Sequence, residues 1–358
     1  MKLSLCMIVR DEEEVIERCL LSAQKFADEI IVVDTGSRDS TISIAQKYAK
    51  VYSYKWQYDF SDARNYSFSL AQHELIMWLD ADDIVLDEDA QKIIALKNEP
   101  QLADVYMFDY VMSHEDDWTP IYKFSRERIF NKSKNFKWVD AIHEVIIPSG
   151  NISRRDIKIY HEKIKPTKKG RNLQIYRKMI AKNVEFSPRQ QFYYARELMF
   201  NGFYKRAISQ FKRFIRSGAG WSENIIQAHI DLADCYEKTG DYALAIKVLL
   251  SSLSTFSPRS EVLYRLGGLF LKRREYEKSI FWYAACMNAA RSYPNGAFVE
   301  NDTHDFLPAL QLCYVHSLLG EMEKSYKYHL ICQKLKPKDS SVLHNKNFFD
   351  NYFENNRK

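Results

Sequence analysis

The chain has 358 residues, 46% of them hydrophobic and 28% charged, with a formal net charge of +5. That is length enough for two domains with full cores, and the composition of an ordinary globular protein rather than a disordered chain. Residues 1–150 carry 17 Lys+Arg against 27 Asp+Glu, and residues 151–358 carry 35 against 20, so a net of −10 precedes a net of +15. The break divides the chain near residue 150 into halves suited to different partners. The basic half could meet nucleic acid, anionic lipid or an acidic substrate, or simply dock on the acidic half. The six cysteines form no CxxC pair, which argues against a zinc site, and they fit reduced thiols in a cytosolic protein. Met1 to Val9 reads as a strand followed by acidic residues, not as a signal peptide, and no apolar run is long enough to cross a bilayer. The expectation is a cytoplasmic protein, peripheral at most at the inner face of a membrane.

Residues 3–9 read as a first buried strand, and residues 12–25 as a helix with Val15, Ile16, Cys19, Leu20 and Ala23 on one face. A second apolar strand, Ile30 to Val33, ends at Asp34. A turn rich in capping residues, Thr35 to Thr41, leads into a helix to Tyr48. A short strand near 51–54 and a helix over 62–71 precede the densest run, Leu75-Ile76-Met77-Trp78-Leu79, which ends in Asp80-Ala81-Asp82-Asp83. Strands alternating with helices imply right-handed βαβ units and a mainly parallel sheet, whose carboxyl edge is where such sheets bind ligands. Clustered carboxylates repel unless a cation or donors satisfy them. Mg²⁺ or Mn²⁺ carrying substrate phosphates would do so; equally, the cluster is an acidic loop opening the next helix, as Asp87 to Asp89 are. No GxGxxG follows the first strand, which disfavours NAD or FAD. Residues 104–112, 121–130 and 157–161 read as further strands, and 163–171 as a basic linker.

The remainder is helical and repetitive. Units aligned on Gly240 start at Ile226 and Ser260, with others near Pro188 and Phe306. Small residues recur in the first helix (Ala195, Ala233, Gly267, Cys313) and in the second (Ala207, Ala245, Ser279, Ser325). This is the tetratricopeptide pattern, with an insertion over 291–305. The expected division is 1–162 for the α/β domain, 163–187 for a linker and connecting helix, 188–340 for about four repeats and 341–358 for a last helix or tail.

Residues 3–161 resemble the family 2 glycosyltransferases. Four blocks carry the likeness: Met7 to Glu13, Val33 to Thr41, Ala63-Arg64-Asn65, and Asp80-Ala81-Asp82-Asp83. Arg128-Ile129-Phe130 and His143-Glu144 resemble a narrower group in which tetratricopeptide repeats follow the transferase domain. That group includes the sublancin-type enzymes, which attach sugars to Cys or Ser of bacteriocin peptides. The resemblance implies a GT-A fold and an inverting, metal-dependent transfer from a nucleotide sugar, UDP-glucose or another UDP-hexose. It implies a donor site of Val9, Arg10, Asp34, Arg64, Asp80 and Ala81, with Asp34 on the uracil, Arg64 on base or phosphate, Asp80 on the ribose and Asp82 on Mn²⁺ or Mg²⁺. The family often has an aromatic residue and Asn where this chain has Arg10 and Asp11. His161 is a second metal ligand, a contact to the diphosphate, or a structural residue. Glu144, beside His143, is either the catalytic base, its pKa raised by an apolar setting, or half of a buried pair bracing the acceptor site; Asp116 and Asp117 are its rivals. The repeats would hold a peptide, protein or glycan acceptor, or a second copy of the chain, and no nucleic acid. Other readings are transfer to a cell-surface glycan or lipid-linked sugar, and an inactive transferase-like scaffold.

Overall fold

A computed structural model describes residues 1–164, 169–290 and 301–355. Parts of the expected linker at 163–171 and insertion at 291–305 lie outside the described residues. Contacts divide the chain into two compact units that meet between Glu185 and Phe186.

The first unit runs β1 (Leu3–Val9), α1 (Ile16–Ala23), β2 (Glu29–Asp34), α2 (Thr41–Ala45), β3 (Lys50–Ser53), α3 (Phe60–Ser69), β4 (Leu75–Trp78), β5 (Asp83–Ile84), α4 (Asp87–Lys97), β6 (Val105–His114), β7 (Pro120–Asn131), β8 (Trp138–Val139), β9 (Val145–Ile146), β10 (Ile152–His161) and α5 (Arg171–Ala181). Eight strands form one sheet in the order β3-β2-β1-β4-β7-β6-β10-β5. The β3-β2-β1-β4 half is parallel, as the βαβ alternation predicts. β7 runs antiparallel to both neighbours. The physical reason is the short connection from β6: it allows a hairpin but no crossover.

Both faces of the parallel half are covered, which is why its strands read as unbroken apolar runs. Leu3, Leu5 and Met7 of β1, Ile30 and Val32 of β2, and Leu75 and Met77 of β4 pack with α1 and α4. The alternate residues Cys6, Ile31, Val33, Ile76 and Trp78 pack on the other face with Phe68 of α3. α1 starts at Ile16, later than its apolar spacing suggests. Asp11 has a left-handed backbone (φ 56°), and the Glu12 and Glu13 amides donate to Thr41 Oγ1 and the Asp39 carboxylate instead of opening a helix. α5, expected as a connecting helix, belongs to the first unit and buries Leu173, Ile175 and Tyr176 there.

The second unit stacks the hairpins α6 (Pro188–Phe200) with α7 (Tyr204–Ser217), α8 (Ser222–Lys238) with α9 (Tyr242–Ser252), α10 (Ser260–Lys272) with α11 (Tyr276–Met287), and α12 (Phe306–Leu318) with α13 (Met322–Leu335). α14 (Ser340–Asn355) follows. Gly202, Gly240 and Gly320 turn their hairpins at positive φ, and Arg274 takes that conformation in the third, at 60°. The small residues lie where paired helices cross: the Ser279 and Ser325 hydroxyls donate to the carbonyls of Gly267 and Cys313 at 2.9 and 2.7 Å. A Cβ on Gly267 would sit 2.7 Å from the buried Tyr283 ring, whereas one on Gly268 would meet only its hydroxyl at 3.6 Å. Gly267→Ala is therefore expected to destabilise by about 1–3 kcal/mol through overpacking. Gly268→Ala should be neutral or stabilising by about 0.5–1 kcal/mol, because Gly is costly within a helix. Thermal unfolding of the pair checks this, and equal midpoints would contradict it. Among the described residues no helix is long and apolar enough to cross a membrane.

Candidate active site

A cleft of about 690 Å³ opens at the carboxyl ends of β1 and β4, where an open α/β sheet places its ligands. Val9 and Arg10 leave β1 into it, Asp80, Ala81 and Asp82 follow β4, and His143, Glu144 and His161 also line it.

Arg64 organises one side. The Asp59 carboxylate caps α3 by accepting the Asp62 amide, and one helical turn on, each residue of Ala63-Arg64-Asn65 has a separate task. Ala63 is fully buried. Asn65 exchanges two hydrogen bonds of 2.9 Å with the Trp138 backbone, fixing β8 to α3. Arg64, 7% exposed, donates Nη2 to Asp80 and Nε to Glu144, both at 2.8 Å. Its guanidinium lies 5.0 and 4.8 Å from the ring centres of Trp78 and Trp138, which meet edge to face. Burial opposes charge on Asp80, but the Arg64 cation outweighs it and holds the carboxyl below its ordinary range. Glu144 is thus set against a cation, not in the apolar surroundings expected for it, and its side chain is 13% exposed.

The other side holds Asp82, Asp83 and His161, whose donor atoms lie within 4.8 Å of one another. Asp83 is fully buried. Its Oδ2 accepts from Arg128 Nη1 at 3.0 Å and the Asp80 amide at 3.1 Å, and its Oδ1 accepts from the Tyr110 hydroxyl at 2.8 Å. Nδ1 of His161 lies 2.8 Å from the Tyr110 oxygen, 3.3 Å from Asp83 and 3.5 Å from Asp82. The Tyr110 hydroxyl and the Asp83 carboxylate hold Nδ1 and so fix the orientation of the imidazole ring. This is the usual arrangement of an imidazole braced by a carboxylate. Burial, reinforced by Asp80 and Asp83, raises the Asp82 pKa. Burial alone would lower that of His161, but bonding to Asp83 and the charges of the three aspartates raise it. A hard divalent cation suits this set: Asp82 and His161 could ligate it from the cleft, with Asp83 behind them as an orienting group.

Arg128 is the main residue that composition and spacing did not single out for this site. It is fully buried, with its guanidinium 3.8 Å from the ring centre of Trp78 and 4.2 Å from that of Tyr110. The available signal was a cation directly before the apolar pair Ile129-Phe130 of a strand, which requires a partner if it is buried. Glu162, next to His161, is also a junction. Its amide donates to the Asp82 carbonyl at 2.8 Å, its carbonyl accepts from Arg18, and its carboxylate meets His114 Nε2 at 2.8 Å.

Other expected residues sit differently. Asp34 is 3% exposed, and its carboxylate accepts the Gly36 and Ser37 amides at 2.9 and 3.1 Å, holding the loop after β2. Thr35 of that loop lines the cleft, whereas Asp34 does not. Arg10 pairs loosely with Asp11 at 3.8 Å. His143 and Asp140 have left-handed backbones (φ 55° and 73°), and their turn brings Glu144 back to Arg64. Asp116 and Asp117 are exposed and do not line the cleft, because the β6–β7 hairpin carries them away from it.

Residues 4–159 match the model of glycosyl transferase family 2. The first unit is a family 2 glycosyltransferase domain. Over 147 residues the chain is 35% identical to a TPR repeat-containing protein of Synechococcus elongatus, covering 40% of this chain and 35% of that one. Over 271 residues it is 26% identical to the SPbeta prophage-derived glycosyltransferase SunS of Bacillus subtilis, covering 71% and 63%. The chain thus spans about a third and just under two thirds of the length of these relatives. A crystal structure of S. aureus TarS 1–349 in complex with UDP-GlcNAc superposes with a TM-score of 0.41 at 17% identity, covering 72% and 93% of the two chains. In the transferase domain as it stands, the Asp80 and Asp82 block, Arg64, Glu144 and His161 converge on one cleft, and Asp34 supports its rim.

Proposed function

We propose that the protein is a metal-dependent, inverting glycosyltransferase that moves a hexose from a UDP-sugar to a Cys or Ser of a peptide or protein. The observation that carries this reading is the pairing, in one cleft, of a cation-compensated carboxylate couple (Asp80 and Glu144 on Arg64) with an open Asp82–His161 donor set. Asp82 and His161 would hold Mn²⁺ or Mg²⁺, which supplies charge for the leaving diphosphate. Asp80 presents an ionised carboxylate to the donor's ribose. Glu144, positioned by Arg64, takes the proton of the acceptor thiol or hydroxyl. The sulfur or oxygen attacks the anomeric carbon, and the bond to the diphosphate breaks with its electron pair leaving on UDP. The peptide acceptor is supported by the likeness carried by Arg128-Ile129-Phe130 and His143-Glu144, and the repeats would present it. UDP release from UDP-glucose, with Mn²⁺ or Mg²⁺ and a Cys-containing peptide, tests the proposal. Release that ignores both EDTA and the peptide, or no release with any UDP-hexose, would reject it.

Asp34→Ala is expected to weaken UDP binding by about 1–3 kcal/mol, since a buried charged acceptor is removed. Asp34→Asn retains an acceptor for the Gly36 and Ser37 amides. Recovery by Asn in calorimetry would assign Asp34 to holding the loop; no recovery would favour a direct bond to the base. Unchanged UDP affinity in both variants would exclude either role.

A further inference from the structure

This inference rests on the donor reading above. A nucleoside diphosphate brings two phosphates into a cleft whose floor already carries Asp80, Asp82 and Glu144. Arg64 answers two of those carboxylates with the nitrogens it directs into the cleft, so its guanidinium is occupied. Arg10 pairs with Asp11 at the rim. Lys163, just after β10, also lines the cleft, and two further cations, Lys169 and Arg171, line it from around the start of α5. They lie beyond residue 159, where the family match ends.

A second feature ties α5 to the cleft. Trp56, Tyr58 and Phe60 form an aromatic wall in the segment entering α3, with Tyr58 in a left-handed backbone (φ 63°). Arg171 lies 5.0 Å from the ring centre of Phe60, and Lys178 Nζ lies 3.4 Å from that of Tyr58. These cation–π contacts hold the basic start of α5 beside the wall. Ile175, one turn further on, also lines the cleft and is 1% exposed. The helix is thereby a fixed part of the cavity.

From this we infer that Lys169 and Arg171 bind the diphosphate of the donor, so that the donor site is completed by residues outside the family domain. The metal-binding side and the α5 side would then share the charge of the leaving group. Arg171 offers a planar fork to phosphate oxygens, and Lys169 a point charge.

The test is calorimetric titration of the full chain with UDP, UMP and uridine in Mg²⁺, using Lys169→Gln/Arg171→Gln. Both side chains are exposed, so the fold should survive the change. Arg177→Gln, an exposed cation of the same helix that does not line the cleft, is the control. The expected result is a UDP Kd raised about 10-fold or more in the double variant, a smaller rise for UMP, and no change for uridine. The gap from wild type should close at high salt, and Arg177→Gln should bind like wild type. Wild-type UDP affinity in the double variant, or an equal loss for uridine, would overturn the inference while leaving the donor reading intact. Failure of the wild-type protein to bind any nucleoside diphosphate would sink the donor reading and this inference with it.

Discussion

Replacing Arg64 by Leu is expected to abolish transfer and to lower the unfolding midpoint together. The guanidinium joins Asp80 and Glu144 across 2.8 Å on each side and lies between Trp78 and Trp138. Leu would keep the apolar contact with both rings but leave two carboxylates facing one another with no cation. Removing one partner of a buried ion pair costs about 3–5 kcal/mol. The Asp80 side chain retains 34% exposure, so water screens part of that loss and the low end of the range applies. Loss of turnover should exceed the stability effect, by about 10²–10³-fold in kcat/KM, since both carboxylates would leave their places. Arg64→Lys tests the geometry: one ammonium reaches one carboxylate but cannot fork between two. It should recover stability better than activity. A Leu variant with native midpoint and native turnover would remove Arg64 from both roles.

The second large effect is expected at Asp82. Asp82→Asn should reduce transfer by about 10²-fold or more while leaving the fold unchanged. Asp82 faces the cleft and lies 3.5 Å from His161, and burial together with Asp80 and Asp83 already disfavours its charge. Neutralising it relieves repulsion as it removes a ligand. Paired UDP-release assays with Mn²⁺ and with EDTA, alongside a thermal melt, separate the two consequences. Turnover equal to wild type in Asp82→Asn with EDTA present would take the metal out of the mechanism.

Much of the framework was legible because its physics is local. Leu75 to Leu79 has to be a doubly covered strand, and its alternate residues do face different helices. Small residues repeated at hairpin crossings can be read directly, since no larger residue allows the helices to approach. What lies across the chain was less accessible. Nothing near Glu144 in sequence announces Arg64, 80 positions away; its neighbours Ile142, Val145 and Ile146 suggested an apolar setting. Asp83 reads like Asp82, yet the direction of the chain after β4 sends one carboxylate inward to Arg128 and the other to the cleft. α5 followed a Pro- and Lys-containing stretch that looks like a linker. The aromatic rings of the segment entering α3, more than 100 residues earlier, and the burial of Leu173, Ile175 and Tyr176 explain why it stays with the first unit.

Glu162 has a mechanical consequence. It is held at three points, to the Asp82 carbonyl, to Arg18 and to His114. The candidate ligand pair Asp82 and His161 sits immediately beside this anchorage. A displacement of Lys163 and Ile164 would meet the bonds to α1 and β6 before it reached the imidazole. Glu162 thus anchors the end of β10 through the sheet edge and α1, so the spacing of Asp82 and His161 does not depend on the helix that carries Arg171.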